Sequence, residues 1–266
     1  MRVFVLGSSG MLGCYVYKYL NQEGYNVVSV NRDRLDASIP NYYDVKQLGI
    51  TQGDVVINCM GLIPHRTNTT KAQFLLVNAV FPRVVADVCA EIGADFIQVT
   101  TDCVFTGDDG GYVESSVHTA MDIYGRSKSL GEPESATIIR TSIIGEERSN
   151  KLSLVEWVKS QEGKTVNGYL NHFWNGVTCL QFAKICDYII KNDLFWKGVK
   201  HIHSPNKISK FGLILSISHI YGLGVEVEEF KTPKKCDRSL KSERTDVLIE
   251  TPDLYDQIKE MKEFKI

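Results

Sequence analysis

Long apolar runs are missing from this sequence. None approaches the roughly 20 residues that a bilayer-crossing helix needs, so no membrane-spanning helix is expected. Surplus charge is missing too: 30 Lys and Arg stand against 32 Asp and Glu, a formal net charge of −2. That balance gives nucleic acid or an anionic membrane no electrostatic attraction. The seven cysteines are odd in number and include no Cys-x-x-Cys pair, which argues against a metal site of the zinc type and against a secreted disulfide framework. Met1–Leu6 has neither the length nor the cleavage site of a signal peptide, so the expected setting is cytoplasmic. The sequence also lacks an internal repeat and a low-complexity tract.

What remains is ordinary globular material. A hydrophobic fraction of 43% over 266 residues suits one α/β domain with a smaller attached lobe. Apolar runs at Arg2–Leu6, Val27–Val30, Val55–Cys59, Phe96–Thr100 and Thr137–Thr141 read as buried parallel strands. Between them, Met11–Glu23, Lys71–Ile92 and Met121–Glu132 have the length and periodicity of helices. That alternation implies a doubly wound parallel sheet. After Gly145 the rhythm changes. Leu152–Gln161, Leu180–Lys191 and Lys210–Tyr221 read as helices, His201–Ser204 as a short strand and Gly222–Phe230 as an alternating one. Lys231–Arg244 is basic and polar and reads as a loop or lid over a site. The expected division is a first domain over 1–150 and a smaller lobe over 151–266, with part of 176–204 returning to pack on the first.

The first strand runs into Gly7-Ser8-Ser9-Gly10-Met11-Leu12-Gly13, which opens a helix. Such a unit aims backbone N–H groups and the positive end of a helix dipole at a pyrophosphate, and glycine is needed where the chain turns sharply or approaches the phosphate. Glycine-rich turns also serve plain strand–helix corners, but this one follows directly on an apolar strand. The loop therefore marks a dinucleotide site. Strand two ends at Val30-Asn31-Arg32. An NAD site would place an acidic residue there for the ribose 2′-hydroxyl; neutral Asn31 and the guanidinium of Arg32 favour a 2′-phosphate, hence NADP(H). Asp44 and Val45 are expected at the adenine, and Cys59, Met60 and Gly61 at the end of the third strand beside the cofactor.

Tyr124-Gly125-Arg126-Ser127-Lys128 puts a phenol and an ammonium on one helix face. A phenol has an ordinary pKa of about 10, and a neighbouring ammonium favours its ionised form. A hydroxyl at the end of the preceding strand, Thr101 or alternatively Thr100, would bond the substrate oxygen beside the tyrosine. The glycine loop, Thr100-Thr101-Asp102-Cys103-Val104-Phe105-Thr106-Gly107, the Tyr124–Lys128 segment and Ile139-Arg140-Thr141-Ser142-Ile143-Ile144-Gly145 together carry a resemblance. With Asp237-Arg238-Ser239-Leu240 near the C-terminus, they resemble the dTDP-4-dehydrorhamnose reductase family of extended short-chain dehydrogenases over nearly the whole chain. The resemblance implies a Rossmann sheet with a smaller C-terminal substrate lobe and bound NADP(H). It implies a Thr101, Tyr124, Lys128 triad, with Thr100, Thr141 and Ser142 beside the cofactor. The substrate it implies is a dTDP- or UDP-linked 4-keto-6-deoxyhexose, reduced at C4; a homodimer is compatible with it.

Two departures stand out. Cys103 occupies a position where many members carry tyrosine, and the related GDP-L-fucose synthase uses a cysteine there as an epimerisation base. A thiolate at Cys103 would add 3,5-epimerisation, with Lys151 or His172 as the matching acid; the alternative is a small residue packed beside the nicotinamide. The second departure, Asn171-His172-Phe173-Trp174-Asn175-Gly176-Val177-Thr178, resembles a subgroup acting on UDP-linked amino sugars. Asn171, Trp174 and Asn175 are expected at the substrate, with Arg238 and Lys241 at its diphosphate; core packing and a surface charge run are the alternatives. A dehydratase would need an Asp-Glu pair after the strand-end threonine, and an epimerase with bound NAD an acidic residue at Asn31. A regulatory subunit of methionine adenosyltransferase resembles the same family, so an NADP-binding partner without catalysis is a further alternative.

Overall fold

The computed structural model describes residues 1–64, 69–149 and 151–266. The expected boundary at 150 falls on Asn150, outside the described residues. The first part runs β1 (Val3–Leu6), α1 (Met11–Gln22), β2 (Val27–Val30), α2 (Tyr42–Lys46), β3 (Val55–Asn58), α3 (Lys71–Leu75), α4 (Phe81–Ile92), β4 (Asp95–Thr101), α5 (Ile123–Leu130) and β5 (Thr137–Thr141). There follow β6 (Ile143–Ile144), α6 (Leu154–Lys159), β7 (Thr165–Tyr169), β8 (His172–Trp174), β9 (Val177–Thr178), α7 (Cys179–Lys191) and β10 (Gly198–His201). The last are β11 (Ile208–Ser209), α8 (Lys210–Tyr221), β12 (Glu226–Phe230), β13 (Cys236–Asp237) and α9 (Leu254–Glu263).

Six strands form one parallel sheet in the order β10-β5-β4-β3-β1-β2. Its two covered faces follow from the period-two geometry of a strand. In β1, Val3 and Val5 enter a core shared with α1 and α7, while Phe4 and Leu6 enter a second core with α4 and the loop after β2. Segment 176–204 thus supplies α7 to one face and β10 to the sheet edge, where Gly198–His201 pairs with Thr137–Arg140. The strand expected at His201–Ser204 therefore lies three residues earlier. Direction reverses at β1, flanked by β2 and β3, and in such sheets ligands bind outside the carboxyl ends at that reversal.

The helix expected over Lys71–Ile92 is interrupted by a π turn at Leu76–Val80. Pro82 has no N–H for the Asn78 carbonyl, and the Phe81 N–H reaches back to Leu76 instead. Two small sheets lie under α8, in which β7 pairs with β12 and β8 lies between β11 and β13, while β6 pairs with β9 beside α7 and α9. A strap over 236–246 then returns toward the first sheet, where Leu240 bridges Tyr112 in the segment after β4 and Arg244 donates to the Val199 carbonyl of β10. Among the described residues no helix is long and apolar enough to cross a membrane.

Candidate active site

The three glycines of the first loop do different things. Gly7 has φ +79°, the left-handed region that favours glycine, and a Cβ there would lie 2.9 Å from Met60 Cγ. Gly13 brings α1 onto the loop: a Cβ would fall 2.1 Å from the Gly7 carbonyl oxygen. Gly10 is different. An added Cβ would meet only the Gly7 oxygen, at 3.4 Å, so its bareness leaves room for a ligand. Met11, Leu12 and Gly13 open α1, where N–H groups have no partner inside the helix. The Ser9 N–H is spent on the loop itself, donating to Asn31 Oδ1 at 2.9 Å, and the Ser8 hydroxyl donates to the same oxygen. Asn31 is therefore a brace for the loop, and being neutral it adds no charge against a 2′-phosphate.

Arg32 pairs with Asp36 at 3.1 Å, but its side chain is 78% exposed and can swing. Arg32, Arg34, Asp36 and Asp44 line a cleft of about 320 Å³ at this end of the sheet. Val45 points into the core, so any contact it makes with an adenine comes through its backbone. Cys59, Met60 and Gly61 leave β3 beside Gly7. Thr100 is buried at the end of β4, and its Oγ1 has no hydrogen-bond partner among the described residues. Thr141 closes β5 opposite Thr101, and Ser142 takes the Val177 N–H on its carbonyl. The open cradle at Gly10, the helix N-terminus and the unpartnered Thr100 hydroxyl fit a dinucleotide lying across the carboxyl edge.

Asp122 caps α5 by accepting the Gly125 N–H at 2.9 Å. Gly125 lets that helix press on the turn after β4, since a Cβ would strike the Cys103 carbonyl at 2.3 Å. The same contact sets Tyr124 beside Thr101 and Cys103, with the Phe74 ring edge-on at 6.4 Å. Burial pushes the Tyr124 phenol well above its usual range, Cys103 adds to this, and the Thr101 hydroxyl pulls the other way. The expectation that Lys128 favours a phenolate is thus revised for the protein alone: burial holds the phenol protonated. Burial also pushes the Lys128 ammonium down to about 8, against the pull of Glu132. Its Nζ lies 2.9 Å from the position a Cβ on Gly61 would take.

Asn78, in the π turn, was not singled out from the sequence. Its amide takes the Leu62 N–H at 2.8 Å and donates to the Leu62 carbonyl and to Ser127 Oγ, tying the exit of β3 to α5. A polar residue inside an apolar helical run was the available signal. Lys210, also unforeseen, enters the site from the first turn of α8. Burial pushes its ammonium down while Asp102, Cys103 and Cys236 act in the opposite sense. Its Nζ sits 5.7 Å over the Trp174 ring. Arg238 completes the cluster, donating to the Phe105 carbonyl at 3.0 Å and to Cys103 Sγ at 3.6 Å. Lys241, paired with Arg238 in the sequence reading, lies instead against Gly111.

Three substrate expectations are revised. Asn171 spends its amide on Thr232, donating to the carbonyl at 2.8 Å and accepting the N–H at 3.1 Å. Asn175 clasps Leu240 the same way, at 2.8 Å in both directions. Trp174 is buried in the core, with Lys210 over its ring. These residues build the wall and fasten the strap rather than offer polar groups to a ligand. Burial first, then Asp102, pushes the Cys103 thiol up to about 12, opposite to what a base requires. His172 bonds Thr232 Oγ1 at 2.8 Å, which ties its ring to the loop after β12.

A parallel sheet reversing at a glycine loop, with a Tyr-x-x-x-Lys helix against the strand-end threonine, defines the extended short-chain dehydrogenase class. Residues 1–246 match the family described as the RmlD substrate binding domain, and the chain belongs to that family. The dTDP-4-dehydrorhamnose reductase of Mycobacterium tuberculosis (strain CDC 1551 / Oshkosh) is 32% identical over 156 residues, 54% of this chain and 50% of that protein. The chain thus spans about half the length of this relative. The spore coat polysaccharide biosynthesis protein SpsK of Bacillus subtilis (strain 168) is 30% identical over 254 residues, covering 88% of this chain and 86% of that protein. In fold, the chain is similar to the dTDP-4-dehydrorhamnose reductase of Bacillus anthracis str. Ames solved in complex with NADP, with a TM-score of 0.83 at 21% identity and 98% of each chain covered.

Proposed function

We propose that this protein is an NADPH-dependent reductase of the 4-keto group of a nucleotide-linked 4-keto-6-deoxyhexose. The observation that carries the reading is Tyr124 beside the strand-end Thr101, with Lys128 one turn further along α5 against Gly61 at the exit of β3. NADPH bound there supplies the hydride. Tyr124 delivers the proton to the sugar oxygen, and a phenol that burial keeps protonated is the state a proton donor needs. Lys128 keeps positive charge beside Gly61 and Tyr124, where the nicotinamide ribose would lie and negative charge develops on the phenol. Arg238 and Lys210 bring two cations to the same side of the site, which fits an anionic substrate such as a nucleoside-diphosphate sugar. Both dTDP and UDP esters meet that requirement. Seven free cysteines fit work in the reducing cytoplasm.

Cys103 as an epimerisation base has less support, because its thiol is pushed away from ionisation. NADPH oxidation with a panel of dTDP- and UDP-4-keto-6-deoxyhexoses tests the proposal. Turnover with at least one is expected; none with any of them sinks the reductase reading and leaves an NADP-binding regulatory protein.

A further inference from the structure

The Thr101 hydroxyl has one proton and two lone pairs. One lone pair takes the Cys103 N–H at 3.1 Å, and the proton goes to Asp102 Oδ1 at 3.1 Å. So placed, Thr101 can only accept from a third partner. A substrate carbonyl oxygen is also an acceptor, so it competes with the Asp102 carboxylate for one proton. A proton on Asp102 removes the conflict: the acid O–H donates into the second Thr101 lone pair, and the threonine's own proton turns to the substrate. We propose that Asp102 is a positioning residue that carries a proton during reduction and, by donating to Thr101 Oγ1, makes Thr101 the donor that polarises the substrate carbonyl. The inference rests on the ketoreductase reading and adds to it the state of a group that reading does not use.

The surroundings are built for such a balance. Asp102 is only 3% exposed, and burial raises its carboxyl above the ordinary range. Arg238 from the strap, then the Thr101 hydroxyl and Cys103 thiol on its own turn, then Lys210 from α8, pull it back. Tyr124 faces it from α5. Among the described residues no cation bonds it directly: Arg238 donates to Phe105 and Cys103, and the ammonium of Lys210 lies over Trp174.

Asp102→Asn places a permanent N–H donor where the acid O–H would be. Above the Asp102 titration the wild-type kcat should fall roughly tenfold per pH unit, whereas Asp102→Asn, slower overall, should lack that limb. Thr101→Val should lose about 10²–10³-fold in kcat and lack the limb as well. A readout free of turnover is the carboxyl resonance of protein labelled with ¹³C-aspartate. Asp102 is assigned there by its loss in Asp102→Asn, or by its shift in Thr101→Val if Asp102→Asn does not fold. The expected midpoint lies clearly above the free aspartate value of about 3.9; a midpoint at or below it overturns the inference. A limb at the Asp102 midpoint that Asp102→Asn retains overturns it too, whereas a separate limb near 8 belongs to Lys128 and is common to both proteins. Failure of the ketoreductase reading would instead show as absent NADPH consumption while the Asp102 midpoint is still measured.

Discussion

Replacing His201 by Gln should make the protein less sensitive to acid. Arg140 Nη1 lies 2.8 Å from His201 Nε2, and a guanidinium can only donate, so Nε2 must carry a lone pair. His201 Nδ1 faces the carbonyls of Lys241 at 2.8 Å and Tyr112 at 3.1 Å, so it must carry the proton. One neutral tautomer satisfies the site. Burial, then the Arg140 charge, pushes His201 down to about 4. An unfolded histidine titrates near 6.5, so between the two values the unfolded chain binds more protons and stability falls as pH falls. The contribution is complete above about pH 6.5 and lost progressively as pH drops toward 4, some 3 kcal/mol in all and about 2 kcal/mol by pH 5. His118, which accepts from Arg140 Nη2 at 2.7 Å, is pushed down by burial and by that same charge. Because His201 and the carbonyl of Lys241 fasten the strap that carries Arg238, acid should loosen the substrate side first. Glutamine offers a donor and an acceptor but does not titrate in this range. Urea unfolding at pH 7.5 and 5 reads the difference: the wild type should lose about 2 kcal/mol more than His201→Gln, a midpoint difference near 1 M at an ordinary slope. Equal losses in the two proteins would refute the tautomer argument.

The glycine loop allows a contrast between neighbours. Gly13→Ala should cost roughly 1–3 kcal/mol or prevent folding, because its Cβ overlaps the Gly7 carbonyl, whereas Gly10→Ala should fold normally and weaken NADPH binding; melting curves with NADPH titrations separate the two. Lys210→Met should raise the sugar-nucleotide KM about tenfold, weaken its salt dependence and leave NADPH affinity unchanged. An unchanged KM would remove Lys210 from the substrate site. Cys103→Ser should keep reduction within about tenfold, and turnover of the wild type in deuterium oxide should put no label on the carbon beside the keto group. Label at that carbon would restore the thiol as a base.

The parallel sheet was legible because its central strands are buried on both faces and read as near-continuous runs, as Thr137–Thr141 shows; the edge strand Val27–Val30 is found at its expected bounds but is only half covered. The carboxyl-edge residues were legible for the same reason: Gly10, Thr101 and Tyr124 follow directly on strands or open helices. What escaped is what sequence neighbours do not decide. The two-residue strands β6, β9, β11 and β13 exist only through pairing with distant segments, and α9 follows the polar strap with a narrow apolar stripe. Asn171 and Asn175 looked like ligand groups because a loop amide is a loop amide until its partner, here Thr232 or Leu240, is known. Lys210 entered the sequence reading only as the first residue of a helix, and packing of α8 is what turns it inward. The pairing of Asp102 with Thr101 depends on one rotamer, which no spacing rule reaches.

The most direct test of the central claim is label transfer. With NADPH deuterated at the transferable position and a nucleotide-linked 4-keto-6-deoxyhexose, the wild type should place one deuterium on C4 of the sugar. Tyr124→Phe should bind NADPH as tightly and slow that transfer by about 10²–10⁴-fold. A wild type that moves no deuterium to C4, or a Tyr124→Phe variant that moves it at the wild-type rate, would contradict the account.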